Sequence, residues 1–369
     1  MAAVYTRPLR AELAASQRAS QERALYLAAV DACLQPRREA SPRMLSAYRA
    51  LRSWLDAHGA GLHAPALAGV AVAWAERARD LIAAEVCLNE VGGFTMHLLG
   101  VRYYPVQVAE KGVCWMKLTF RGAPGHGSMP RSDSAPVKLA TAVAKLGTTR
   151  LPIHLSAESM RFVEALAANQ PAPVALALRG LKQPLLAASV LDFGVRDAGQ
   201  RSGLDAILRN TVSPTVLRAG HKTNVIPGIA TVELDGRTVP GQTSASLVRE
   251  IRAVVGEDFE VEILEDLDPV ATSCDTPEYR LLCDVLRRHD PTGVPVPWLI
   301  PGFTDAKFYA RLGTKCYGFM PLMLPEGMSF TTMFHGHDER VPVDGYRWGL
   351  RVHLDAVARL ALDLEGDVA

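Results

Sequence analysis

The sequence lacks net charge, paired cysteines and long apolar runs, and each lack removes a class of function. Lys plus Arg number 40 against 39 for Asp plus Glu, a formal net charge of +1, which gives no electrostatic basis for holding nucleic acid or an anionic membrane surface. The six cysteines (Cys33, Cys87, Cys114, Cys274, Cys283, Cys316) include no C-x-x-C pair, which excludes a zinc ribbon and suits reduced thiols in a cytoplasmic protein. The N-terminus carries no signal-peptide core, and the most apolar stretch near it, 64–75, falls short of the roughly 20 residues of a membrane span. A helical H-E-x-x-H zinc motif is also missing, as are H-x-D and adjacent acids within residues 1–89. The remaining expectation is a protein of two domains, since 369 residues exceed one core of ordinary size, acting on a small molecule.

The chain begins with an Ala-rich region to about residue 84. There Ser41-Pro42 forms an N-cap and first helical position before Met44, Leu45, Tyr48, Leu51, Trp54 and Leu55 at helical spacing. It carries no recognisable site. Strand-like runs follow, Glu85 to Glu90 and Arg102 to Ala109, with Gly92-Gly93 between them. Glu90, at a strand end beside two glycines, suits a ligand position where backbone approaches an ion or substrate, and suits equally a solvent-facing acid at a turn. The alternation in Gly112 to Arg121 marks a half-buried strand, and Gly-Ala-Pro-Gly-His126-Gly-Ser-Met-Pro130 holds one histidine on a constrained loop.

A helix is expected over Asp133–Leu146 and further Ala- and Leu-rich helices over Pro152–Asn210. Strands are expected over Val212–Arg218 and Ile229–Leu234, the latter ending at Asp235-Gly-Arg237. A helix over Thr243–Val255 and a strand over Phe259–Leu264 complete a β-α-β-β-α-β, ferredoxin-like order. The last third returns to α/β texture, with Gly302-Phe-Thr304-Asp305 opening a helix whose N-terminal donors suit a carboxylate, or which Thr304 or Asp305 simply caps. Finally, His335-Gly-His337-Asp338-Glu339 gathers two imidazoles and two acids before the last helix. Imidazole is the commonest metal ligand, although H-x-H is also a frequent accident.

Five motifs, Leu-Asn-Glu90-Val-Gly-Gly, Gly-Ala-Pro-Gly-His126-Gly-Ser-Met-Pro, Asn224-Val-Ile-Pro with Asp235-Gly-Arg237, Gly-Phe-Thr304-Asp305-Ala and Phe-His335-Gly-His-Asp-Glu-Arg, together resemble the M20 metallohydrolases over about residues 76–369. These are the aminoacylases, carboxypeptidases and succinyl-diaminopimelate desuccinylases. The resemblance implies an α/β fold: a mixed-sheet catalytic domain (76–112 and 265–369), incomplete at its N-terminus, with an inserted ferredoxin-like α+β dimerisation domain (113–264). Residues 1–75 are left as a helical segment of unknown role. It implies a zinc-dependent hydrolase of N-acyl amino acids or C-terminal peptide bonds, working as a homodimer. Glu90 and His335 would each bind one of two zinc ions, His126 would polarise the scissile carbonyl in the partner's site, and Asn224, Arg237, Gly302 and Thr304 would hold substrate. The family's H-x-D, bridging Asp and Glu-Glu pair belong to the N-terminal half of its catalytic domain, and residues 1–89 here supply no H-x-D and no adjacent acids. The expectation is therefore weak, substoichiometric zinc and little turnover, with an inactive dimerising scaffold or a fragment of a longer enzyme as the alternative.

Overall fold

The computed structural model describes residues 84–195, 198–333 and 337–362. The expected helix after Ser41-Pro42, all of 1–75, and His335 lie outside these residues. The first strands are β1 (Val86–Asn89), β2 (Met96–Leu98), β3 (Val101–Glu110), β4 (Gly112–Arg121) and a short β5 (Gly125–His126). Five helices follow, α1 (Ala135–Thr148), α2 (Ala157–Ala167), α3 (Ala172–Gly180), α4 (Pro184–Ser189), which runs into a π-helical turn at Val190–Gly194, and α5 (Ala198–Leu208). Then come β6 (Thr211–Ala219), β7 (Val225–Ile226), β8 (Ile229–Thr238), α6 (Ser244–Val255), β9 (Glu260–Leu267) and β10 (Val270–Ala271). The chain continues with α7 (Pro277–His289), β11 (Val294–Ile300), α8 (Ala306–Ala310), β12 (Lys315–Gly318), α9 (Phe330–Met333) and α10 (Val343–Leu362).

Two sheets organise these elements, as the α/β expectation requires. The larger is mixed and centres on β3, buried along nearly its whole length. β11 lies parallel on one side of β3, and β12 lies antiparallel on the other, with β1 parallel to β12 beyond it. The smaller is antiparallel in the order β6-β8-β4-β9. Its period-two pattern turns Cys114, Met116, Leu118 and Phe120 of β4 and Val232 and Leu234 of β8 toward Leu139 and Leu146 of α1 and Leu247 and Ile251 of α6. This is the β-α-β-β-α-β unit expected from the sequence.

Local chemistry fixes the helix starts. Ser156 before α2 and Thr243 before α6 form reciprocal capping boxes with Ser159 and Ser246. Thr276 accepts the Tyr279 amide at 3.1 Å, with Pro277 in the first helical position of α7. The helices α2 to α5 interrupt the small domain in sequence yet complete the core of the large sheet. Phe162, Val163 and Leu166 of α2 and Leu204 and Ile207 of α5 cluster with Phe94, Tyr103, Val296 and Trp298. One expectation is corrected at Asp235-Gly-Arg237, which does not end its strand but lies inside β8. Gly236 pairs with Cys114, and a side chain there would run into the Cys114 carbonyl, so this glycine serves strand packing and makes no turn.

Candidate active site

Glu90 follows β1 and the Gly302–Thr304 turn follows β11, and the Glu90 and Asp305 carboxylates both lie near enough to Cys87 to act on it. Glu90 leaves β1 exposed to solvent, and the Phe319 amide donates to the Asn89 carbonyl at 2.9 Å just before it. Beyond Glu90 the chain turns sharply, with Val91, Gly92 and Gly93 at φ 73, 124 and 74. The turn packs its backbone against Gly318, whose carbonyl a Gly92 side chain would overlap. The two glycines thus approach another strand's backbone, and not an open ligand position. The Glu90 and Asp305 carboxylates both act on Cys87, opposing ionisation of its thiol. A hydrogen bond from Cys316 nevertheless holds Cys87 below the ordinary thiol range.

The Gly302-Phe303-Thr304 turn is anchored by Glu110, fully buried at the end of β3. Glu110 accepts the Thr304 amide at 3.0 Å, the Thr304 hydroxyl, and the Gln107 side-chain amide at 2.6 Å. Burial raises the Glu110 pKa against these donors, and the neighbouring Lys307 ammonium adds to the pull downward. Lys307, also buried, donates to the Asp268 carbonyl at 2.8 Å and is pushed down to about 8 by desolvation. The Thr304 hydroxyl also accepts the Ala306 amide at 3.1 Å. It therefore holds the turn that leads into α8, whose N-cap residue is Asp305, while Gly302 faces open space.

Arg237 comes to the same place from the small sheet. Its Nε and Nη2 donate to Asp235 at 2.6 and 2.9 Å, and its guanidinium lies 5.3 Å from the Phe303 ring centre. Trp115 completes the setting, donating from Nε1 to Asp235 at 3.1 Å and meeting Phe303 edge-on. The third guanidinium nitrogen, Nη1, is buried and has no hydrogen-bond partner among the described residues. An unpaired buried guanidinium N–H favours an incoming carboxylate.

His126 and Asn224 form a second group. Gly125 and His126 pair with Ile226 and Val225, and the Gly127 amide donates to the Asn224 carbonyl at 2.9 Å. The Ser128 amide donates to His126 Nδ1 at 3.2 Å and the Ser128 hydroxyl lies 2.8 Å from the same nitrogen, so both contacts fall on Nδ1, and a neutral ring that accepts the amide there carries its proton on Nε2. His126 is exposed. Since β4 spans ten residues from the joint at Lys111 to Arg121, this tip lies about 30 Å from the large sheet along the strand. The structure thus gathers Arg237 with Gly302 and Thr304, and His126 with Asn224, but does not join the two groups within one chain.

Zinc finds no complete donor set in these residues. His337 is exposed, and among the described residues no three His, Cys, Asp or Glu side chains converge as metal ligands. A centre built on Glu90 alone does not fit zinc's usual four-coordinate demand. Sequence reasoning missed Glu110 as an organiser of the site. The legible signal for Glu110 was an acid-base pair, Glu110-Lys111, closing an otherwise apolar strand.

Comparison with known proteins agrees with this architecture. The M20 peptidase dimerisation domain matches residues 108–262. Human N-fatty-acyl-amino acid synthase/hydrolase PM20D1 is 28% identical over 270 residues, 70% of this chain and 51% of its own length. Probable carboxypeptidase S-like 2 of Dictyostelium discoideum is 28% identical over 246 residues, 66% of this chain and 46% of its own length. The chain spans about half the length of the curated relatives it matches. Among solved structures, an M20 family metallo-carboxypeptidase, Sso-CP2 from Sulfolobus solfataricus, superposes with a TM-score of 0.52 at 14% identity, over 78% of this chain and 66% of that one. Human carnosine dipeptidase 1 gives 0.51 at 12%, over 79% and 64%. These two likenesses establish the fold.

Proposed function

We propose that the chain is an M20-type amide-bond hydrolase of N-acyl amino acids or C-terminal peptide bonds that works as a homodimer, a reading supported by the dimerisation-domain match over residues 108–262 and by relatives 28% identical to it. The printed activities of its relatives, an N-fatty-acyl-amino acid synthase/hydrolase and a probable carboxypeptidase, agree with these two substrate classes. The observation that carries the reading is the placement of His126, exposed on the tip ribbon with its Nδ1 held by Ser128. With Nδ1 occupied by the Ser128 amide, its Nε2–H is the free donor, on a tip too far from Glu90 to serve its own chain. Such a donor suits the developing oxyanion of an amide carbonyl bound in a partner subunit, where one hydrogen bond contributes on the order of 10²–10³-fold in rate. Arg237 Nη1 and the open Gly302 turn receive the substrate's carboxylate, and Asn224 lies beside His126 to orient the amide. Zinc is the metal this reading implies, through Glu90 and His335, and no step is assigned to it because the described residues do not complete its site.

A second reading, a dimerising homologue that binds substrate without turning it over, rests on the sequence, whose residues 1–89 carry no H-x-D and no adjacent acids. A panel of N-acyl amino acids and dipeptides assayed with added zinc or cobalt separates the two. Turnover that His335→Ala abolishes supports the hydrolase. Saturable binding without turnover, weakened at least tenfold by Arg237→Met, supports the non-catalytic reading, and neither binding nor turnover would sink both.

A further inference from the structure

Beside the candidate site lies a cavity of about 160 Å³, walled by the face of the large sheet, α2 and α5. Its lining is aromatic and thioether-rich. Phe94 stacks on Phe330 at 4.3 Å between ring centres and meets Trp298 edge-on at 5.5 Å, while Phe162, Met96 and Met328 close the walls. The polar groups at its edge are already engaged. Thr95 donates to the Leu324 carbonyl at 3.0 Å, His97 Nε2 contacts the same carbonyl at 3.2 Å, and Gln200 donates to the His97 carbonyl at 2.6 Å. The volume is of the order of 150 Å³, which in an aliphatic- and aromatic-lined cavity stays dry and accepts one benzene. The walls run directly into the candidate motifs, for Phe94 follows Glu90 and Gly92-Gly93, Pro301 precedes Gly302, and Phe330 precedes the segment bearing His335.

We propose that this cavity is a binding subsite for a compact apolar group of about six carbon atoms, a phenyl ring or short alkyl chain on the acyl side of an N-acylated ligand. That the group belongs to an N-acyl amino acid rests on the proposed hydrolase function, whereas the cavity's taste for a phenyl-sized apolar group rests on its own lining and volume. Gly203 of α5 sets the cavity's size. It lines the space, and a side chain added there meets no atom within 4 Å. A leucine at this position would occupy the cavity without displacing backbone.

The test is calorimetry on the full-length chain with N-acylglycines of increasing acyl length, and separately with benzene. The expected result is affinity that tightens about fourfold per methylene up to about six carbons and then levels, together with saturable benzene binding. Gly203→Leu is expected to erase both while leaving N-acetylglycine binding unchanged, and Gly203→Ala to move the plateau to a shorter chain. A flat acyl series in the unaltered protein would overturn the proposal, as would no benzene binding at millimolar concentration or a length dependence that survives a folded Gly203→Leu. Circular dichroism checks that the variants fold, and if neither does, the benzene titration of the unaltered chain decides alone. Turnover of N-acetyl amino acids, whose two-carbon acyl group needs no cavity, tests the hydrolase reading independently. Its failure and the failure of the subsite are therefore distinguishable.

Discussion

Lys111 sits at the joint between the two sheets, fully buried, with Nζ donating to the Ala206 and Arg209 carbonyls and the Thr211 hydroxyl at 2.9 Å each. Three acceptors match the three protons of an ammonium, yet burial, reinforced by the Arg237 charge, pushes its pKa down to about 7. An unfolded lysine titrates near 10.4. Below about pH 7 both states carry the proton and the cost of burying it is fully present. Between about pH 7 and 10 the unfolded chain holds the proton and the folded chain has lost it, so stability rises with pH. Lys307, at about 8, contributes with the same sign over a narrower window. The unfolding free energy measured in urea is therefore expected to climb from pH 7 to 9, and Lys111→Met to remove about 2 kcal/mol of that climb. A slope that the substitution leaves untouched would refute the assignment to Lys111.

The turn after β1 shows what a strand end demands of its glycines. Val91, a β-branched residue, holds φ 73 and Gly92 holds φ 124, because this backbone must lie against Gly318 of β12, where a side chain would in turn overlap the Val91 carbonyl. Gly92→Ala is expected to destabilise the fold by about 3 kcal/mol or more, from strain and overlap together. Gly147, within α1 with no atom near an added side chain, is the contrast, and Gly147→Ala should stabilise by about 0.5–1 kcal/mol. Chemical denaturation of the pair gives both signs in one experiment. The contrast also separates what was legible in the sequence from what was not. Alternation placed β4 at its observed bounds, and apolar spacing placed α1 and α6 to within two residues of theirs, because those signals are local. The contact partner of Gly92 lies more than two hundred residues away, at Gly318, and no local signal reports it. The same holds for α2 to α5, whose helical character was plain but whose packing on the large sheet depends on Phe94 and Trp298. The start of α8 at Thr304-Asp305 was legible, while the hold of Thr304 on buried Glu110 needed the three-dimensional fold.

At the scale of the whole molecule, the proposed homodimer needs an edge, and the small sheet offers two. β9 carries Glu260, Glu262, Glu265 and Asp266 within eight residues. Two-fold antiparallel pairing along it would set acid against acid, the device by which free edges avoid association. β6 carries no acid. Its register shifts between Pro214 and Val216, Pro214 offers no amide donor, and the segment beyond them, 216–219, exposes Leu217. That segment runs directly into the ribbon bearing Asn224 and His126, so a copy docked along it would lie next to the histidine that the proposed function takes from the partner. Pairing through the outer edge of β6 is isologous, each Leu217 lying near its own copy at the dyad. Sedimentation velocity at micromolar concentration is expected to show a dimer. Leu217→Glu, which brings two carboxylates together there, should weaken it at least tenfold, while Glu262→Lys should leave it intact. A dimer indifferent to Leu217→Glu but disrupted by Glu262→Lys would move the interface to β9, and a monomer in the unaltered protein would remove the cross-subunit role of His126 altogether.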